Sequence, residues 1–252
     1  MMRGIFKTFI LMLIVSLFFA TDAFAKSDQA KNSLVALGDS IPFGYNLGEN
    51  NNAAPYREAY PYIVGKEADM RVRNLGVPGW RTDQLLVALE TDQKFRQAVR
   101  HADYITLSIG NNDLLQALAV AQRLSGGDSG LFLYYLNDEI EKSNIFYNLE
   151  EIVGEVRSLT SAPIVFYNIY NPFQTSDPLH SVGGLVLPGI NQMLDVQAIY
   201  LNREYGDVVV VDAFTAFGNN QAEYVIAGDI HPTLAGQRVL AEAGLQAISL
   251  FK

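Results

Sequence analysis

Five apolar, β-branched runs, each followed by a helix-like pattern, constrain the fold of this 252-residue sequence more than any other feature. The runs are continuous rather than alternating polar and apolar, which is typical of strands covered on both faces. Strands that alternate with helices form a parallel sheet between helical layers. We therefore predict an α/β fold of three layers. The predicted strands are 33–38, 70–77, 104–110, 163–170 and 207–214.

Helical segments are predicted between these strands. In one of them Ile145, Leu149 and Ile152 recur every three or four residues, which gives the helix a single buried face. The last predicted helix opens with Pro232, a residue that suits the first turn because its missing N–H costs nothing there. The predicted helices are 82–90, 145–159, 189–205 and 232–251.

A longer excursion, 117–147, separates the third strand from the next helix. It contains the glycine-rich stretch LSGGDSG (124–130). We interpret the excursion as an ordinary surface loop, with a cover hinged over a site as the alternative.

The first 25 residues have the pattern of a secretory signal peptide. Arg3 and Lys7 precede an apolar stretch at 8–20. The small-x-small sequence Ala23-Phe24-Ala25 follows this stretch. The apolar stretch is shorter than the roughly 20 residues of a membrane span. We therefore predict cleavage after Ala25, a single domain at 26–252 that is released outside the cytoplasm, and no integral membrane segment.

Charge and residue usage exclude several functions. The net charge is −9, and it becomes −10 when Arg3, Lys7 and Asp22 leave with the signal. Such a chain repels phosphate backbones, so nucleic acid is not an expected partner. The absence of cysteine excludes disulfides and a thiol nucleophile. Dispersed histidines argue against a metal site, and no Gly-x-Gly-x-x-Gly motif follows a predicted strand, so no cofactor is expected.

Four polar stretches stand at the ends of predicted strands. Because the carboxyl ends of parallel strands share one edge of a sheet, we expect the four to converge there. They are Gly38-Asp39-Ser40-Ile41, Asn74-Leu75-Gly76, Gly110-Asn111-Asn112-Asp113 and Gly228-Asp229-Ile230-His231-Pro232.

The residues in these stretches suit nucleophilic chemistry. A serine hydroxyl becomes a nucleophile when a base removes its proton, and histidine is the side chain suited to this near neutral pH. Of the three histidines, His231 alone follows a strand at the expected edge. The N–H groups of Ser40 and Gly76 and the side-chain amide of Asn112 are the donors we expect for an oxyanion.

Each of these residues also has a structural interpretation. Ser40 is a favoured helix N-cap, Gly76 suits a turn, and Asn112 or Asp113 could cap a following helix. His231 could simply close the last helix. Asp39 is expected to hydrogen-bond nearby loop amides. Four such stretches in order, each at a strand end, favour the catalytic interpretation.

The four stretches resemble the conserved blocks of the GDSL or SGNH hydrolase superfamily. Ser40, Gly76, Asn112 and His231 match the four name-giving residues, with Asp39, Gly110 and Asp113 in support, and the likeness spans about residues 33–240. The resemblance implies a flavodoxin-like sheet of strand order 2-1-3-4-5 and ester hydrolysis through a serine acyl-enzyme without metal or cofactor. VALGDSI and IHPT look most like the bacterial lysophospholipase-like esterases.

The sequence departs from that family at the expected acid, which usually lies three residues before the histidine. Gly228 occupies this position, and Asp229 lies two residues before His231. Three interpretations stay open: Asp229 still reaches the histidine, the main-chain carbonyl of Gly228 replaces it, or Asp212 serves as the acid.

The substrate is predicted less sharply. The loop 44–62 follows Ser40 and carries Tyr45, Tyr56, Tyr60 and Tyr62 among amides, which suits sugar rings, whereas Phe43, Trp80 and Leu115 suit an acyl pocket. We predict a short- or medium-chain carboxylic ester or a lysophospholipid as substrate. The alternatives are an acetyl ester of an extracellular polysaccharide and a non-catalytic binding module of the same fold.

Overall fold

All five predicted strands form, and they pair in parallel in the order β2-β1-β3-β4-β5. The computed structural model describes residues 31–49 and 51–251, so the predicted signal peptide lies outside the described residues. The predicted three-layer fold and its strand order are confirmed. The strands are β1 (Ser33–Gly38), β2 (Arg71–Gly76), β3 (Tyr104–Ser108), β4 (Ile164–Tyr167) and β5 (Val208–Val211).

Helices cover both faces of the sheet. Among the described residues, no helix is long and apolar enough to cross a membrane. The helices are α1 (Ser40–Phe43), α2 (Tyr60–Glu67), α3 (Thr82–Thr91), α4 (Gln93–Arg100), α5 (Asn111–Ser125), α6 (Ser129–Lys142), α7 (Ile145–Leu159), α8 (Pro178–Tyr205), α9 (Ala213–Phe217), α10 (Gln221–Tyr224) and α11 (Leu234–Ser249).

Two apolar clusters on opposite faces of the sheet form most of the core, and a smaller third cluster joins α5 to α6. Successive residues of β1 contribute to different clusters, Leu34 to one and Val35 to the other, because side chains alternate along a strand. Helices α3, α4, α7 and α8 pack on the Val35 side, and α2, α9 and α11 on the Leu34 side. Each fully buried Leu or Ile contributes about 1.5–3 kcal/mol relative to an exposed one. The two clusters therefore hold the sheet rigidly beneath its carboxyl edge.

Two predicted helix starts are wrong. Helix α8 begins at Pro178 rather than at 189, and it continues through Pro188. The sequence signal fails there because proline and glycine are poor helix formers, whereas packing against the sheet overrides that preference. Helix α11 begins at Leu234, and the hydroxyl of Thr233 caps it by accepting the N–H of Gly236 at 3.1 Å. Pro232 thus lies outside the helix.

The surface-loop interpretation of 117–147 is also wrong, because this segment is largely helical. Gly126 and Gly127 adopt positive φ angles of 57° and 94° and end α5. Asp128 then caps α6 by accepting the N–H of Leu131 at 2.8 Å. Helix α6 packs on α5 through Leu136. The segment is a helical hairpin at the edge of the sheet where the polar stretches meet.

Candidate active site

The turn after β1 places Ser40 at the first position of α1, where the residue is buried. Asp39 is the N-cap, because its Oδ1 accepts the N–H of Ile41 at 2.8 Å. Ser40 therefore does not cap the helix, and its hydroxyl lies 3.0 Å from Nε2 of His231. Gly38 packs directly on β3, since a Cβ there would stand 2.0 Å from the carbonyl oxygen of Ser108.

Asp229 completes a line of three groups. Its Oδ1 lies 2.6 Å from Nδ1 of His231, on the opposite side of the ring from Ser40. The carboxylate holds the proton on Nδ1, which leaves Nε2 to accept the proton of the Ser40 hydroxyl. Of the three acids left open by the sequence, the structure brings Asp229 to the histidine.

The other two candidates have different surroundings. Oδ1 of Asp212 accepts the N–H of Thr215 at 3.0 Å and the side-chain amide of Asn168 at 2.9 Å, so this carboxylate caps α9. Gly228 has a φ of 74° in the left-handed region, where a side chain is strained. This turn conformation suits the glycine at this position and disfavours an acidic side chain there.

Asn46 is a site residue that the sequence analysis missed. Its side-chain amide donates to Oδ2 of Asp229 at 2.8 Å, and its own side-chain oxygen accepts the amide of Asn52 at 2.8 Å. Partial burial acts to raise the pKa of Asp229, but hydrogen bonds from Asn46 and the Ile230 N–H and the nearby His231 hold it below its usual value. The amide-rich composition of the loop was the only signal in the sequence.

The predicted oxyanion donors differ in what they contact. The N–H of Gly76 donates to Oδ1 of Asn74 at 2.9 Å and is therefore engaged. Gly76 is required for packing, because a Cβ there would lie 2.8 Å from the carbonyl oxygen of Asp39. The amide of Asn112 donates one hydrogen to the carbonyl oxygen of Trp80 at 2.8 Å and has a second hydrogen to offer.

Two backbone N–H groups at this edge, those of Ser40 and Gly79, have no hydrogen-bond partner in the part of the chain that the structure describes. Ser40 stands at the start of α1, where an N–H has no intrahelical partner. Gly79 precedes Trp80 in an exposed turn with a φ of 82°, and its N–H has no hydrogen-bond partner among residues 31–49 and 51–251. The spacing Gly76-x-x-Gly79 was visible in the sequence, but nothing there distinguished the two glycines.

The remaining predicted residues are Asp39, Asp113 and Gly110, and each has a structural contact or conformation next to the site. Buried Asp39 also accepts the amide of Asn111 at 3.1 Å, and burial raises the pKa of Asp39 to about 7. Asp113 accepts the hydroxyl of Thr82 at 2.6 Å and thereby links α5 to α3. Gly110 is the N-cap of α5, with a φ of 113°. These contacts confirm a structural part for Asp39.

An apolar channel opens beside Ser40, between α5, α6 and α8. Of the residues that the sequence suggested for an acyl pocket, Leu115 lines this channel, whereas Trp80 stacks on Phe95 with ring centroids 5.5 Å apart and Phe43 is buried in the core. The lining is almost entirely apolar and includes Leu118, Leu136, Ile140, Val182, Val186 and Ile190. The hairpin of α5 and α6 therefore shapes the space that a substrate would enter.

Among the tyrosines of the loop 44–62, Tyr45 borders the site, whereas Tyr60 and Tyr62 make packing contacts elsewhere. Tyr45 borders the site, with its ring centroid 5.1 Å from that of His231. Tyr60 is fully buried and packs on Tyr167 at 4.6 Å, and Tyr62 lies under the guanidinium of Arg57. This loop does not present a row of aromatic rings for a sugar.

A parallel five-stranded sheet of this order, with serine, histidine and aspartate in line at its carboxyl edge, defines an SGNH-type hydrolase fold. The chain belongs to the GDSL-like lipase/acylhydrolase family, whose model matches residues 36–239. Membership supports an ester-hydrolysing enzyme.

Two relatives are similar to this chain in sequence, and one solved structure is similar to it in fold. The chain is 26% identical over 229 residues to YpmR of Bacillus subtilis, covering 85% of this chain and 80% of that protein. It is 26% identical over 211 residues to the spore germination lipase LipC of Bacillus licheniformis, covering 82% and 92%. The crystal structure of the lipase Lip_vut3 from a goat rumen metagenome superposes with a TM-score of 0.66 at 23% identity, covering 86% of this chain and 97% of that one.

Proposed function

We propose that this protein is a serine esterase that hydrolyses carboxylic esters with an apolar acyl chain, of the lysophospholipid or medium-chain type. The observation that supports this most directly is the 3.0 Å separation between the Ser40 hydroxyl and Nε2 of His231. This distance is a hydrogen-bond distance, so no rearrangement is needed before proton transfer.

The proposed reaction has two stages. As the oxygen of Ser40 attacks the ester carbonyl carbon, His231 accepts the hydroxyl proton and then gives it to the leaving alcohol. Asp229 stabilises the imidazolium that forms between these steps. In the second stage His231 takes a proton from water as the water oxygen attacks the acyl carbon. The bond between that carbon and the Ser40 oxygen then breaks, and His231 returns the proton to Ser40 as the acid is released.

The oxyanion is proposed to be held by the N–H of Ser40, the side-chain amide of Asn112 and the N–H of Gly79. Gly79 replaces the predicted Gly76, because the Gly76 N–H already bonds to the side chain of Asn74. The Asn112 amide is pre-oriented by its bond to Trp80, so it loses little freedom when an oxyanion develops.

Asn112→Asp is expected to lower kcat on a soluble ester about 10²–10³-fold, because the substitution removes an oxyanion donor while it retains the shape of the side chain. Asn112→Ala, which also loses that donor, should fall in the same range. Steady-state kinetics with a p-nitrophenyl ester measures both. A kcat within a few-fold of wild type, with unchanged melting temperature, would show that this amide does not bind the oxyanion.

The channel supports a substrate with a longer acyl chain rather than an acetyl ester. An acetyl group presents one methyl, whereas the channel extends from Ser40 along α5, α6 and α8 with an apolar lining. Each methylene that is added to the acyl chain and buried against this apolar surface is expected to strengthen binding by up to about 0.8 kcal/mol. A polysaccharide acetyl esterase is therefore the weaker candidate, and the intact line of Ser40, His231 and Asp229 argues against a purely binding function.

The acyl preference is tested with p-nitrophenyl esters from acetate to palmitate. We expect kcat/KM to rise from acetate to the medium-chain esters. Leu118→Trp, which narrows the channel, should lower kcat/KM for the octanoate by about tenfold or more, and the acetate ester serves as the internal control. A wild-type preference for acetate, or an equal loss on both esters, would contradict the acyl assignment of the channel.

Export belongs to the same proposal. The signal pattern of residues 1–25 supports a location outside the cytoplasm, where ester lipids are accessible to a lipolytic enzyme. The N-terminal sequence of the exported chain tests this, since it should begin at Lys26.

A further inference from the structure

Helix α8 is apolar both on the side that lines the channel and on an exposed side. Its first part, residues 178–194, contains no Asp, Glu, Lys or Arg. One side lines the channel through Val182, Val186 and Ile190. The other side faces outward, where Leu185 is 67% exposed. A helix that only closed the channel would carry polar residues on its outer side.

The outward side continues into a larger apolar surface with α6 and the start of α7. A groove runs between α6 and α8, and a second shallow groove follows α8 towards its end. We call this surface the outer face and define it by six exposed residues: Leu133, Tyr147, Leu185, Met193, Val196 and Tyr200. Contiguous exposed apolar surfaces of this kind mark interaction sites.

The outer face is continuous with the channel that leads to Ser40. Ile140, Val186 and Ile190 line both the channel and the outer groove. A single layer of side chains therefore separates the two. An acyl chain that moved from an apolar phase on the outer face into the channel would pass only this one layer of side chains.

The charges around the outer face select its partner. Within residues 31–49 and 51–251, no Lys or Arg lines either groove, whereas Glu141 lines the first, and the charge of Glu150 raises the pKa of Tyr200 beside the second. The nearby Lys142 is already paired with Asp138 at 2.6 Å and Glu139 at 2.8 Å. Such a border repels anionic lipids. A second copy of the chain would bring the same negative border and a net charge of −9.

We propose that the outer face docks the enzyme on the surface of zwitterionic or uncharged lipid. This docking rests on the proposed function, because the lipid surface supplies the acyl ester that enters the channel. The same residues thus give the enzyme a preference for aggregated over dissolved substrate.

Binding is tested with chains that carry Ser40→Ala, so that hydrolysis does not alter the lipid. In flotation with phosphatidylcholine vesicles, Leu185→Ser together with Val196→Ser is expected to lower the partition coefficient by about tenfold or more, because both side chains lose their apolar insertion. The matched control is Leu250→Ser, whose leucine is 71% exposed and directly follows α11, the helix that packs on the opposite face of the sheet from α8. This control should bind as the parent does. Adding phosphatidylglycerol to the vesicles should weaken binding.

Activity separates docking from catalysis. With Ser40 intact, Leu185→Ser with Val196→Ser should retain wild-type kcat/KM on a dissolved short-chain ester and lose about tenfold on dispersed phospholipid. Equal vesicle binding by the double variant and the control would overturn the docking proposal. So would a dimer in sedimentation that the double variant abolishes, because that result assigns the face to a second copy. Failure of the wild type on every ester would instead refute the proposed function.

Discussion

Ser40→Ala is expected to lower kcat on soluble esters by about 10⁶-fold and to abolish labelling by a fluorophosphonate probe. The reason is geometric, because the hydroxyl of Ser40 is the one bonded to Nε2 of His231 at 3.0 Å. His231→Ala should cause a loss of similar size, since removing either partner of a nucleophile–base pair disables the same step. Labelling followed on a gel and steady-state hydrolysis give two independent measurements.

Ser108→Ala is the matched control for this experiment. Ser108 is also buried at the carboxyl edge of the sheet, at the end of the strand next to β1, and it has no contact with His231 among the described residues. The Ser108→Ala variant should react with the fluorophosphonate probe as the wild type does. Labelling that survives in Ser40→Ala would place the nucleophile elsewhere. A folded wild type that neither labels nor hydrolyses any ester would support the binding-module alternative.

Asp229→Asn is expected to lower kcat by about 10⁴-fold, because an amide cannot stabilise the imidazolium and can hold the ring in the wrong tautomer. The carboxylate contacts Nδ1 of His231 at 2.6 Å, so its charge acts on the ring directly. Kinetics on the same soluble ester measures the loss. Fluorophosphonate labelling should slow in parallel, since it also requires an activated Ser40.

Two further variants test the assignment of Asp229, one at the alternative acid Asp212 and one at its hydrogen-bond partner Asn46. Asp212→Asn should leave kcat within a few-fold of wild type, because this carboxylate caps α9 rather than contacting the histidine. Asn46→Ala should lower kcat by roughly ten- to a hundredfold, since it removes one charge-assisted hydrogen bond from Asp229. If Asp212→Asn proves far more damaging than Asp229→Asn, the assignment of the acid is wrong.

The strands and the meeting of distant polar stretches follow from the sequence, because continuous apolar runs require a sheet covered on both faces and parallel strands share one edge. Ser40 and His231 could therefore be placed together before any coordinates. The oxyanion donors could not be assigned, because the direction of a backbone N–H at a strand end depends on local contacts such as that between Gly76 and Asn74. Likewise, the position of Asp229 depends on the φ of Gly228.

The missed helices have a different cause. The first half of α8 contains Gly183, Gly184, Pro188 and Gly189, which predict a break when helix propensity is considered alone. Helix α6 has apolar residues both inside and outside, so the single stripe used to recognise a surface helix is absent. Of the apolar residues of α6, Leu133 lies on the outer face, whereas Leu136 and Ile140 line the channel.

The proposed acid Asp229 and the proposed base His231 come from one short turn, and this has a mechanical consequence. The turn is closed on itself, because the N–H of Ile226 donates to the carbonyl of His231 at 2.9 Å and the N–H of Asp229 to the carbonyl of Ile226 at 3.0 Å. The bond between Asp229 and His231 therefore lies within one turn, whereas the 3.0 Å separation between Nε2 and the Ser40 oxygen joins that turn to α1. We expect a displacement of the turn to change this separation more than it changes the pairing of imidazole and carboxylate.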